Sequence, residues 1–130
     1  YLAVLDGRSW ASASSRARLA GGHLVTIGGL DEDRFVYRLF FKDSRFSIAD
    51  ANGVLQGPHI GLLRNSRGGW DWITQEAMTY TNWARGRPGV SGSGYGAFYR
   101  PSGRKNAVSG PRYWADSTGG SRNGYIIEIE

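Results

Sequence analysis

The chain of 130 residues contains no cysteine, so no disulfide braces it, no thiolate holds a metal and no thiol serves as a nucleophile. No apolar run approaches the roughly 18 residues needed to cross a membrane as a helix. The opening Tyr1-Leu-Ala-Val-Leu-Asp-Gly7 has neither a basic leader nor a cleavage signal, and a chain that begins on tyrosine is expected to be a mature form or a domain cut from a longer protein. Histidine is scarce: His23 and His59 are the only two. His23, in a turn-to-strand word, reads as structural, and His59, at a strand entry, as partly buried. With no Gly-x-Ser-x-Gly elbow, P-loop or His-Glu-x-x-His helix, the sequence argues against an enzyme.

A more local absence is more informative. The thirty residues from Ala84 to Tyr113 hold Arg85, Arg87, Arg100, Arg104, Lys105 and Arg112 but no Asp or Glu. The same stretch carries seven glycines and three prolines, together with Tyr95, Phe98, Tyr99 and Tyr113. Glycine and proline at that density predict neither helix nor regular strand over most of its length. Unstructured stretches beyond about 12–15 residues are usually binding loops, lids or linkers, and the aromatics speak against a plain linker.

The length fits a single domain spanning 1–130, large enough to bury a core unaided. Its net charge of +5 is uneven, with +1 over residues 1–58 and +4 over 59–130. That field favours encounter with anionic partners in a salt-dependent way.

Several elements are readable along the chain. Tyr1–Leu5 suits an edge strand closed by Asp6-Gly7. Ser9 offers an N-cap for a helix from Trp10 to Ala20, whose inward stripe is Trp10, Ala13, Ala17 and Ala20. His23–Ile27 reads as a strand. A second helix is expected over Asp31–Phe41, with Phe35, Val36, Leu39 and Phe40 on one face. Lys42–Pro58 reads as loop with a short strand near Phe46–Ile48, and further strands are expected at Ile60–Leu63, Trp70–Ile73 and Tyr125–Ile129. Two helices followed by most of the strands predict the α+β class.

Taken in order, these words resemble a C-type lectin-like domain of the cysteine-free bacterial or phage kind. The resemblance rests on Trp10 and its alanine-spaced helix, Gly21-Gly-His-Leu-Val-Thr-Ile27, and Glu32 with Phe35. It continues through Ile60-Gly-Leu62, Trp70-Asp-Trp72, Tyr80-Thr-Asn-Trp83, Trp114 before Asp116, and Gly124-Tyr-Ile-Ile-Glu128. It spans nearly the whole chain and implies two helices flanking small antiparallel sheets, with a long loop region at about Trp83–Trp114. In sugar-binding members that loop holds calcium through a Glu-Pro-Asn or Gln-Pro-Asp triplet and an Asn-Asp pair after the late tryptophan. Here the triplet position reads Arg87-Pro88-Gly89 and the pair reads Ala115-Asp116. Calcium takes six to eight oxygen ligands, and only Asp116 remains of the implied set. No metal and no cofactor are therefore expected, and the cis or trans state of Pro88 is left open.

Arginine forks grip carboxylate, sulfate or phosphate, and tyrosine faces stack on sugar rings. The candidate ligand-binding residues are Arg87, Tyr95, Tyr99, Arg100, Arg104, Lys105, Arg112 and Tyr113. The leading expectation is a non-enzymatic recognition domain that binds a protein surface or an anionic glycan without calcium. The bland alternative packs Tyr95, Phe98 and Trp114 into a secondary core and leaves the arginines solvated. A third reading is a structural, assembly or display module of a virion, fibre or cell-surface protein that contacts neighbouring subunits. The expected setting is extracellular, at a cell surface or on a virion. Nucleic acid is not expected, because no nucleic-acid motif accompanies the basic stretch. Asp71 and Glu76 read as surface groups, and Glu128 as structural.

Overall fold

The computed structural model describes residues 1–49, 54–89, 94–100, 113–120 and 122–130. Strand β1 (Leu2–Arg8) leads into helix α1 (Trp10–Leu19), followed by β2 (His23–Leu24) and α2 (Leu30–Arg38). After a 3-10 turn at Ser44–Phe46 come β3 (Ile48–Ala49), β4 (Leu55–Arg64), β5 (Trp70–Trp72), β6 (Tyr95–Arg100), β7 (Tyr113–Ser117) and β8 (Arg122–Glu128). The sheet runs in the order β1-β8-β4-β6-β7, with β2 beside β8 and with β3 and β5 beside β4. Among the described residues its strand pairings are antiparallel except between β4 and β8, where His59 meets Tyr125 in parallel. This is the expected α+β architecture.

Helix α1 starts where the Ser9 hydroxyl accepts the Ser12 amide at 3.2 Å, satisfying one of the donors that every helix N-terminus leaves free. Trp10, Ala13 and Ala17 are buried as the stripe predicts, but Ala20 is the exposed C-cap. The small alanines let α1 lie against Leu24, Tyr125 and Ile127, which share its core. The Trp10 indole donates to the Ile60 carbonyl at 2.8 Å, so the helix is tied to the central strand.

The main core gathers Val25, Ile27, Val36, Phe40, Phe46, Ile60, Leu62, Trp72, Phe98, Trp114 and Ile126. Two glycines of the recognised words are explained by close backbone approach. A side chain on Gly61 would place its Cβ 2.6 Å from the Leu24 carbonyl, and one on Gly22 would collide with the Glu128 carbonyl. Both positions let the segment beginning at His23 wedge between β4 and β8. Three expectations are corrected here. Helix α2 ends at Arg38 rather than near Phe41. Phe35 is exposed and meets the Tyr1 ring edge-on at 5.1 Å, because the inward face of the short helix is set by Asp33 and Val36. His59 is fully buried rather than partly so, with Nε2 donating to the Arg8 carbonyl at 2.8 Å.

Candidate functional site

The stretch from Ala84 to Tyr113 is not a loop without structure of its own. Its middle is β6, paired on one side with β4 and on the other with β7. Glycine content masked an alternation in which Gly96 lies opposite Asp116, Phe98 opposite Trp114 and Tyr99 opposite Tyr113. Phe98 and Trp114 are fully buried and belong to the main core rather than to a secondary one.

The segment before β6 is clamped to β7. Trp114 donates its amide to Asn82, and Ala84 donates its amide to Trp114, both at 2.8 Å. Upstream, the buried Asp33 carboxylate accepts from the Tyr80 hydroxyl at 2.9 Å and from Asn82 Nδ2 at 2.8 Å. Burial raises the pKa of Asp33 even though those hydrogen bonds pull the other way. The chain then turns at Ala84–Arg87, where the Arg87 amide donates to the Ala84 carbonyl at 2.9 Å and Gly86 takes φ 78°. The Arg87–Pro88 peptide is cis.

This path delivers the Arg87 side chain to Asp116. Nη1 donates to Asp116 Oδ1 at 2.8 Å, and the guanidinium carbon sits 5.0 Å from the centre of the Tyr99 ring. Asp116 is almost buried, while the Arg87 side chain keeps about a third of its surface. Burial alone would lower the guanidinium pKa; hydrogen bonds to Asp116 and Tyr99 and the Asp116 charge outweigh it and raise the pKa. The cation is held charged, pointing at once to a carboxylate and to an aromatic face.

The other expected site residues are distributed differently. Tyr95, half-buried at the start of β6, stacks its ring on Trp10 at 4.5 Å and packs against the core under α1. Arg100 is buried and engaged within the fold. Tyr99 and Tyr113 are half-buried neighbours across the β6–β7 pair. Arg104, Lys105 and Arg112 lie outside the described residues. The structure thus brings Arg87, Tyr99 and Tyr113 together at one end of the sheet and separates Tyr95 from them. Reading by composition missed Arg64, which covers the Trp70 ring at 4.8 Å and donates to the Gly89 carbonyl at 2.8 Å, bracing the turn from below. A shallow groove of about 330 Å3 lined by Leu5, Asp6, Gly7 and Arg45 brings together none of the expected residues.

Comparison with known proteins places this geometry. No family model matches the chain. Regenerating islet-derived protein 3-gamma of Rattus norvegicus is 36% identical over 104 residues, covering 79% of this chain and 59% of that protein. The chain spans a little over half the length of the curated relatives it matches. Human lithostathine superposes with a TM-score of 0.69 at 18% identity, over 97% of this chain and 87% of that one. The cow C-type carbohydrate-recognition domain of CD23, solved in the presence of a GlcNAc2Man3 oligosaccharide, gives a TM-score of 0.67 at 21% identity, over 100% and 87% of the two chains. These are animal proteins, and the virion setting expected from the sequence finds no support in them. The chain belongs to the C-type lectin-like domains, which are non-enzymatic recognition modules.

Proposed function

We propose that the chain is an extracellular ligand-recognition domain that binds a glycan carrying negative charge through the end of the sheet where Arg87, Tyr99 and Tyr113 meet, with the Arg87 guanidinium standing in place of a calcium ion. The observation that carries this reading is the 2.8 Å contact between Arg87 Nη1 and Asp116 Oδ1. Asp116 is the acid that the family resemblance would hand to calcium, and a resident cation already occupies its carboxylate. Calcium requires several oxygen donors. Among the described residues near Asp116, the nearest charged partner is a guanidinium, whose like charge repels a second cation. This donor set does not fit the ion.

A guanidinium anchored on one side retains donors on the other. Part of Arg87 stays accessible and can offer N–H groups to a carboxylate or sulfate, while Tyr99 and Tyr113 present ring surface for a sugar face. The C-type carbohydrate-recognition domain of CD23, solved in the presence of an oligosaccharide, shares the fold, which supports carbohydrate as the ligand class. The test is a glycan array, repeated at rising salt and with or without calcium. The reading expects binding to sulfated or carboxylated glycans that weakens with salt, is indifferent to calcium and falls at least about tenfold in Tyr99→Ala. Binding that requires calcium, or that ignores Tyr99→Ala, contradicts it.

A further inference from the structure

A second group of chemically capable side chains lies on the other flank of the sheet, where β2 pairs with the last strand. The antiparallel register sets His23 directly opposite Glu128, so their side chains project from the same face. Glu130 follows two residues on, just beyond the end of β8. One ligand atom from each of His23, Glu128 and Glu130 lies within 4.8 Å of the others.

The hydrogen bonding of His23 gives this cluster its chemical meaning. Nδ1 lies 2.8 Å from the Leu24 carbonyl, which can only accept, so Nδ1 carries the proton of a neutral ring. Nε2 lies 3.5 Å from Glu130 Oε1, a second acceptor. A neutral imidazole has a single N–H and cannot satisfy both. The contact at Nε2 is attractive only when a cation sits there, either a proton or a metal ion. Donation of the remote ring N–H to a backbone carbonyl is also how ligating histidines are oriented in metal sites.

The surroundings strengthen the demand for positive charge. Glu128 Oε1 faces the Thr26 amide at 3.2 Å, and the Thr26 hydroxyl donates to Glu76 at 2.6 Å. Glu76, Glu128 and Glu130 thus set three carboxylates along the segment that carries His23 and Thr26.

We propose that His23 Nε2, Glu128 and Glu130 form a binding site for a divalent transition metal of the zinc class, with water completing the coordination. Tetrahedral zinc with nitrogen and oxygen ligands at about 2.0–2.2 Å places its donors about 3.3 Å apart, and the His23–Glu130 separation of 3.5 Å is already near that value. Glu130 is exposed, so its carboxylate can close the remaining distance at little cost. The mixed nitrogen and oxygen set selects zinc over calcium and magnesium, which prefer oxygen alone.

The test uses the untagged chain at neutral pH, titrated in a calorimeter with zinc chloride and, separately, with calcium and magnesium chloride. One zinc per chain is expected, with a rise of several degrees in Tm at saturating metal and no comparable effect of calcium or magnesium. His23→Asn should abolish the zinc effect, and Glu130→Gln, which changes an exposed side chain, should weaken zinc binding at least about tenfold. Cobalt(II) in place of zinc should give the intense visible bands of a four-coordinate site, independent of any variant's folding. Absence of zinc binding, undiminished binding by both variants, or equal shifts with calcium and magnesium would overturn the proposal and leave a proton as the only cation at Nε2.

Discussion

Two flanks of the same sheet manage charge in opposite ways. At the β6–β7 end a single nearly buried carboxylate, Asp116, is matched by a resident guanidinium, so the charge balance is internal to the chain. At the β2–β8 end two carboxylates, Glu128 and Glu130, gather at one imidazole, and among the described residues the partners of both His23 ring nitrogens are acceptors. The comparison teaches that acid count is a poor guide to ion demand. The acid-poor end has supplied its own cation, whereas the acid-rich end has a place for one from outside.

The sharpest way to break the comparison is at the satisfied end. Arg87→Ala leaves Asp116 nearly buried without its counter-charge, and a loss of about 1–3 kcal/mol is expected, below the value for a fully buried pair because Arg87 is partly exposed. Urea denaturation measures it. Adding Asp116→Ala should cost less than the sum of the two single changes, since the second substitution removes the stranded charge.

A smaller effect of opposite sign is expected at the other end. The folded-state pKa of Glu128 is raised above its ordinary value of 4.5 by burial and by Glu32, so the folded chain binds the proton more tightly than the unfolded one. The group therefore withdraws stability as pH rises from about 4.5 through the folded pKa, and leaves it intact below. Glu128→Gln should stabilise the metal-free chain at pH 7 and match the parent near pH 4, as judged by Tm across that range. Saturating zinc should reverse the benefit at pH 7. The smallest effect is that of Glu130→Gln without metal, expected to lie within about 0.5 kcal/mol because the side chain is exposed. A larger change there would mean that Glu130 holds the fold itself.

Much of the architecture was legible because it is written locally. The alanine stripe of α1, the glycines at 22 and 61 and the tryptophan words each report a short-range requirement: a packing face, a close backbone approach or a core anchor. Strand β6 was not legible, since Tyr95-Gly-Ala-Phe-Tyr-Arg100 is held as a strand by β4 and β7, and propensity does not record partners. The same limit applies to the sites. Arg87 and Asp116 were each singled out, but their contact joins positions 29 residues apart. His23 and Glu130 are separated by 107, and each by itself reads as a structural or surface residue. Tyr95 was drawn toward the ligand face by its neighbours in sequence, whereas it lies four residues along β6 from Tyr99, where its ring stacks on Trp10 of α1.

The most direct test of the central claim, that Arg87 occupies the place of a calcium ion, is a calorimetric calcium titration of the parent chain beside Asp116→Asn. No calcium binding that depends on Asp116 is expected, so the two titrations should coincide. A calcium-binding event present in the parent and lost in Asp116→Asn would contradict it, because the carboxylate would then be serving a metal and not the guanidinium.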